Sequence, residues 1–111
     1  MSLESQQDRE KRTEFLRALA EAGYEDSLVL RRETAERVMS DERARIVEGL
    51  RDSNVRSIRE LARRLDRDAG AVKRDLDLLF ECDVVEYEEV GARKAPRLKH
   101  ENVFVEPLFT R

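Results

Sequence analysis

The stretch that most constrains this chain runs from Ser57 to Val85, SIRELARRLDRDAGAVKRDLDLLFECDVV. It holds two short amphipathic helical patterns with a polar joint between them. Ile58, Leu61, Ala62 and Leu65 share one face of the first, at the 3.6-residue period. Val72, Leu76 and Leu79 share one face of the second. Two faces this narrow must be buried against each other and against a third element, because neither helix is long enough to persist alone.

Local signals fix the ends of both helices. Ser57 and Glu60 form an S-x-x-E capping box at the start of the first. Asp66 and Arg67 make the joint, and Asp68 is placed to cap the second, which the pattern carries to about Glu81. Asp66 and Asp83 occupy turn positions where Gly is common. Asp is one of the few other residues that tolerates positive φ there. Two helices joined by so tight a turn have the spacing of a helix-turn-helix, in which the second helix can enter a DNA major groove.

The rest of the chain supplies the surroundings. Met1 to Gln7 is polar and reads as a frayed end. Asp8 to Ala22 is predicted helical, with Phe15, Leu16, Leu19 and Ala22 on one side and Gly23 as its C-cap. That stripe can pack on its own domain or form a seam with a second copy. Ser27 to Leu30 reads as a short strand, and Glu33 to Met39 has helical character. Ser40 caps a further helix to about Arg51 whose inner face is Ile46, Val47 and Leu50. Beyond the central stretch, Val84 to Val90 alternates as a strand and Gly91 to Lys94 reads as a turn. Arg97 to Val105 is expected to return as the second strand, with Pro96 at its edge or start. A hairpin with a basic tip after the second helix is the wing of a winged helix. Pro107, Leu108 and Phe109 form an apolar tail.

With 111 residues, the chain fits one small core. The fold expected is mainly α with a small β-hairpin wing, an α+β winged helix-turn-helix with an extra N-terminal helix. The division expected is residues 1–26 as a helix with a dimerisation role and 27–111 as the DNA-binding domain.

The net charge of −3 would argue against a nucleic-acid partner if it were evenly spread. It is not. From Arg56 to Arg74, seven basic residues face three acids, and from Gly91 to Lys99 four basic residues face none. Between them lie seven acids and no base, from Asp75 to Glu89. Sorted charge of this kind orients a protein on a polyanion. Alternation on solvated helix faces is the plainer explanation of the same charges. Only four lysines stand against 18 arginines. An acid-rich, Lys-poor balance resembles that of proteins from halophilic organisms, and it also suits an ordinary charged helical surface.

Other classes find little support. Cys82 is the sole cysteine, which excludes an intrachain disulfide and favours a reducing, cytoplasmic compartment. Beside an expected buried Leu79–Phe80 pair it reads as a small core residue, with redox sensing as the alternative. No apolar h-region and no run of about 20 apolar residues occurs, so neither a signal peptide nor a membrane span is expected. His100 is the sole histidine and lacks a metal-ligand cluster. No phosphate-binding loop or nucleophile elbow is present. Neither an enzyme nor a cofactor is expected.

The stretch SIRELARRLDRDAGAVKRDLDLL resembles the winged helix-turn-helix of MarR-like transcriptional regulators. More narrowly, it is similar to a set of archaeal (haloarchaeal) DNA-binding regulators with a SIRELAR support helix, an RD turn, a V-x-R-D-L recognition helix and a short hairpin leading into a Pro. The resemblance extends back to SDERARIVEGL and covers roughly residues 28–107. It implies transcription regulation through double-stranded DNA, by a homodimer. Any small-molecule effector is left open.

On the second helix, residues 68–81, the direction opposite Val72, Leu76 and Leu79 carries Gly70, Arg74, Asp77 and Glu81, with Ala71 and Lys73 on the flanks. Arg74 is the expected base reader, because Arg grips guanine O6 and N7 bidentately. Lys73 and Arg67 are candidates for phosphate or base contact. Gly70 and Ala71 would let the backbone approach DNA closely. Ser57 and Arg59 are placed for phosphates at the first helix's N-terminus. Arg93, Lys94 and Arg97 would serve the wing, at the minor groove or its backbone. Arg63 and Arg64 are expected to pair with acids. The alternative is a winged-helix adaptor that binds a protein partner through its acidic face or the Asp8–Ala22 helix, without sequence-specific DNA binding.

Overall fold

The structure is a computed structural model that describes residues 6–108. Met1 to Ser5 and Phe109 lie outside the described residues. In chain order the elements are α1 (Gln6–Glu21), β1 (Ser27–Leu30), α2 (Arg32–Val38), α3 (Asp41–Asp52), α4 (Ile58–Leu65), α5 (Ala69–Glu81), β2 (Val85–Val90), β3 (Arg93–Leu98) and β4 (Asn102–Val105). Among the described residues this is a mainly helical α+β fold with a β-hairpin after α5, as the sequence predicts.

The core is built where apolar stripes of α3, α4 and α5 converge on the hairpin. Ile46, Val55, Val72, Leu76, Leu79 and Val84 are wholly inaccessible, and Leu50, Leu61, Ala62 and Val85 nearly so. Ile58, Leu65 and Val47 close the rim. Helices α3, α4 and α5 each begin at the polar residue expected to cap them. The Ser40, Ser57 and Asp68 side chains accept the backbone N–H of Arg43, Glu60 and Ala71. The capping box closes one residue early: Glu60 Oε2 accepts the Arg56 N–H at 2.9 Å rather than that of Ser57. That bond is the main reason the Glu60 carboxyl titrates below its ordinary value.

Three helices end in one device. In α1 the Tyr24 N–H reaches the Leu19 carbonyl and the Gly23 N–H reaches Ala20. In α4, Arg67 reaches Ala62 and Asp66 reaches Arg63; in α5, Val84 reaches Leu79 and Asp83 reaches Phe80. This paired pattern is the Schellman motif, which needs a left-handed residue at its centre. Gly23, Asp66 and Asp83 supply it, with φ of 98°, 53° and 66°. The two aspartates therefore take the glycine conformation their positions called for.

The wing differs from expectation. Its turn is Gly91-Ala92 alone, and Arg93 and Lys94 already belong to β3, which pairs antiparallel with β2 from Val90↔Arg93 to Val85↔Leu98. Gly91 has φ 62° and Ala92 is not in the positive region, which matches a type II′ hairpin turn. Pro96 lies within β3, opposite Tyr87; counted from the Val90↔Arg93 pair that closes the turn, this is a non-hydrogen-bonded pair, so the position faces its donor away from β2 and the missing N–H costs no ladder bond.

The expected return strand Arg97–Val105 is thus two strands with a break between them. Residues 102–105 form β4, which leaves the wing and pairs parallel with β1, from Ser27↔Asn102 to Leu30↔Val105. The diversion is made by Asp26, held at φ 52°. Its carboxylate takes His100 Nδ1 at 2.8 Å and the Glu101 N–H at 3.1 Å, and its carbonyl takes the Asn102 N–H. Helix α1 lies over this ribbon, with Phe15 and Tyr24 edge-on to Phe104 at 6.2 and 5.6 Å. Glu106 adds ion pairs to Arg12 and Arg32.

Phe80 corrects a further expectation: it is not buried with Leu79 but is 50% exposed, against the Tyr87 ring at 5.5 Å. Leu79 alone lies in the α5 stripe; Phe80, one residue on, is turned about 100° away.

Candidate nucleic-acid interface

Helix α5 shows its N-terminal end to solvent. The Asp68 carboxylate caps it through the Ala71 N–H at 3.0 Å, which fixes its start against the α4 turn. A Cβ on Gly70 would stand 3.1 Å from that capping oxygen and 3.7 Å from Arg74 Nη1. Gly70 therefore gives room to the cap, while the Arg74 guanidinium lies beyond it at ordinary contact distance. Arg74 is exposed, and among the described residues it has no ion pair. Lys73 beside it is held by Asp77 at 2.6 Å, one turn on, which raises its pKa through that bond.

The other expected site residues divide by what holds them. Arg59, on the first turn of α4, and Arg93 and Lys94, at the start of β3, are exposed and carry no ion pair among the described residues. Arg63 is exposed and unpaired too, contrary to expectation, whereas Arg64 pairs with Glu60 at 2.8 Å as expected. Ser57 is buried and its hydroxyl is engaged as the α4 cap. Ala71 is half-buried, its N–H given to Asp68. Arg97 turns inward: Nη1 donates to the Val55 carbonyl at 2.6 Å, and Nε meets Glu88 at 2.8 Å. This fastens the wing to the loop before α4. Arg67 also turns inward, with Nη2 2.9 Å from Asp75 and 3.7 Å from Glu42.

Two residues of this region escaped the sequence reading. Asp75 is nearly buried on α5, and its Oδ1 accepts from Arg43 Nη1 at 2.9 Å. Arg43 also donates through Nε to the Val38 carbonyl and so ties α3 to both α2 and α5. The signal was there in the spacing. Asp75 falls within about 60° of Val72 on the helical wheel, inside the apolar stripe, and Arg43 precedes Ile46 and Leu50 by three and seven residues. A charge inside such a stripe needs a buried partner.

The acidic run from Asp75 to Glu89 is therefore not a uniform field beside the helix. Asp75 is neutralised internally, and Asp77, Asp83 and Glu88 are paired with Lys73, Lys99 and Arg97. Cys82 is half-buried, its thiol donating to the Leu79 carbonyl, and burial pushes its pKa up. A raised thiol pKa suits the core reading over redox sensing. Among the described residues no cluster of three potential metal ligands occurs, and no helix is long and apolar enough to cross a membrane.

This arrangement matches solved structures. Reduced HlyU from Vibrio cholerae N16961 superposes with a TM-score of 0.54 at 22% identity, over 61% of this chain and 72% of that one. HlyU from the same organism gives 0.53 at 23%, over 61% and 74%. An ArsR-like Transcriptional Regulator from Rhodococcus sp. RHA1 gives 0.53 at 30%, over 60% and 62%. These likenesses support the winged-helix architecture. A comparison with curated proteins gives no match. Residues 38–105, from the end of α2 through β4, match the family HVO_A0114. That span holds the whole helix-turn-helix, the wing and the strand that follows, and the chain is a member of the HVO_A0114 family.

Proposed function

We propose that this chain is a DNA-binding transcriptional regulator that reads duplex DNA with residues 68–81 in the major groove. One observation carries the reading. The N-terminal half of α5 is exposed around Arg74, which has no ion pair among the described residues, while Asp75 and Asp77 behind it are held by Arg43, Arg67 and Lys73. A groove entered by that end meets an uncommitted guanidinium and neutralised carboxylates. Arg59 on α4 and Arg93 and Lys94 on the wing add uncommitted charge on the two elements that flank a recognition helix. The ArsR-like neighbour carries a transcriptional regulator's name, which agrees.

In this reading Arg74 contacts a base edge, Arg59 a phosphate, and Arg93 and Lys94 the adjacent minor groove or its backbone. Lys73 stays on Asp77 and keeps that carboxylate neutral beside the groove, and Ser57 and Ala71 act through the helix starts they stabilise. Arg97 supports the wing from within. Residues 27–111 form the DNA-binding unit and 1–26 the dimerisation element of a homodimer. Helix α1 has no fully buried residue, and its Leu16 is 38% exposed, which leaves apolar surface for a second copy. The narrower MarR-like and haloarchaeal kinship rests on the SIRELARRLDRD and VKRDL stretches. The Lys-poor composition suits a high-salt cytoplasm, where base contacts and shape matter more than bulk charge.

Selection of bound fragments from host genomic DNA tests the reading, with gel shifts on the fragments recovered. Arg74→Ala is expected to lose the preference for selected over random fragments, by about 1–3 kcal/mol. Arg93→Ala is expected to weaken binding to both alike. Recovery of no fragment at any salt, with a stable heteromeric complex isolated from cell extract, would favour the adaptor reading instead.

A further inference from the structure

Within the proposed recognition helix, Asp75 is the charged group that points away from DNA. It is 9% exposed, on a helix whose other carboxylates are at the surface. Each of its oxygens faces a different guanidinium: Oδ1 meets Arg43 Nη1 and Oδ2 meets Arg67 Nη2, both at 2.9 Å. The first contact is a hydrogen bond. The second is close in distance but lacks hydrogen-bond alignment, and Arg67 Nη1 is buried without a partner. The cluster holds two cations on one buried anion, with only the exposed Glu42 carboxylate 3.7 Å from Arg67 to add to it.

A poorly aligned ion pair with an orphaned donor is a costly way to hold a helix, if holding it were all that was needed. Arg67 explains the arrangement. It follows Asp66 in the turn between the two helices and precedes the α5 cap Asp68, so its backbone lies beside the end of α5 assigned to the groove. Left to itself, an arginine there would reach for phosphate, adding affinity without sequence information.

We infer that Asp75 is a positioning residue for DNA recognition: it withholds Arg67 from the phosphate backbone while fixing α5 to α3 through Arg43. This rests on the DNA-binding reading above. Held on Asp75, Arg67 would make no phosphate contact in the complex, although its place in the turn suggests one.

The test uses the full chain and a short random-sequence duplex, with binding followed by fluorescence anisotropy across a salt series. Arg67→Met is expected to leave the slope of log affinity against log salt unchanged. Asp75→Asn replaces the oxygen facing Arg67 with a second donor and should release the arginine. Its slope is expected to steepen by about 0.9, the contribution of one added phosphate contact, and Asp75→Asn combined with Arg67→Met should restore the wild-type slope. A merely structural Asp75 would lower the melting temperature and leave the slope alone, which overturns the inference. If Asp75→Asn does not fold, Arg67→Met decides: a slope shallower by about 0.9 means that Arg67 already touches phosphate, and an unchanged slope supports its being withheld. A wild-type chain that binds no duplex at any salt removes the DNA-binding reading itself, and this inference with it; binding with no change in Asp75→Asn removes the inference alone.

Discussion

Replacing Asp66 by glycine should stabilise the protein. Asp66 sits at φ 53°, the left-handed centre of the α4 end motif, and its side chain is exposed with no ion pair among the described residues. A non-glycine residue there costs roughly 1–2 kcal/mol, somewhat less for Asp. Glycine removes that strain but loses roughly 0.5–1 kcal/mol more chain entropy on folding. The net gain is at most about 0.5–1 kcal/mol, a rise of up to about 2–4 °C in melting temperature for a domain of this size. Asp83 provides the control. It has the same conformation, at φ 66°, but its carboxylate pairs with Lys99 at 3.0 Å. Both partners are exposed, so the pair contributes up to about 1 kcal/mol and Asp83→Gly should come out near zero. Asp66→Val should go the other way by more than about 1 kcal/mol, because a β-branched side chain is worst in that region. The assay is thermal unfolding followed by circular dichroism at one fixed protein concentration, since a dimer's melting point moves with concentration. An Asp66→Gly melt at or below wild type, with Asp66→Val tolerated, would refute the conformational argument.

Two further outcomes follow from the packing and the charges. Leu76→Ala, at a wholly inaccessible position, should cost about 3 kcal/mol in urea unfolding, whereas the half-exposed Phe80→Ala should lose only about 1 kcal/mol, the order of its ring contact with Tyr87. The Asp26 carboxyl is held below its ordinary value near 3.8, first by the His100 hydrogen bond and also by the Glu101 N–H. A depressed carboxylate adds stability above its ordinary value and loses it as pH falls through the folded one. The difference in urea midpoint between wild type and Asp26→Asn should therefore stand at pH 7 and disappear as the pH drops below about 3.8.

The local structure of this chain was legible in its residues. Ser40, Ser57 and Asp68 set where α3, α4 and α5 begin, because a side-chain oxygen satisfies the free N–H groups of the first turn. Asp66 and Asp83 set where helices end, because few residues accept positive φ. The stripes of Val72, Leu76 and Leu79 and of Ile46 and Leu50 chose which faces go inside. All of these are read within one or two turns of chain. Features that depend on distant partners emerged with the fold. Residues 102–105 left the wing because Asp26, far back in sequence, captures His100 and Glu101 and hands the strand to β1. Asp75 reads as one acid in an acidic run until Arg43 and Arg67 are brought around it. The expected interface was divided in the same way. Arg74, Arg59, Arg93 and Lys94 make no ion pair among the described residues, whereas Arg67 and Arg97 are held by Asp75 and by the Val55 carbonyl and Glu88. A charge's availability depends on what the fold places beside it, and helix periodicity carries no record of that.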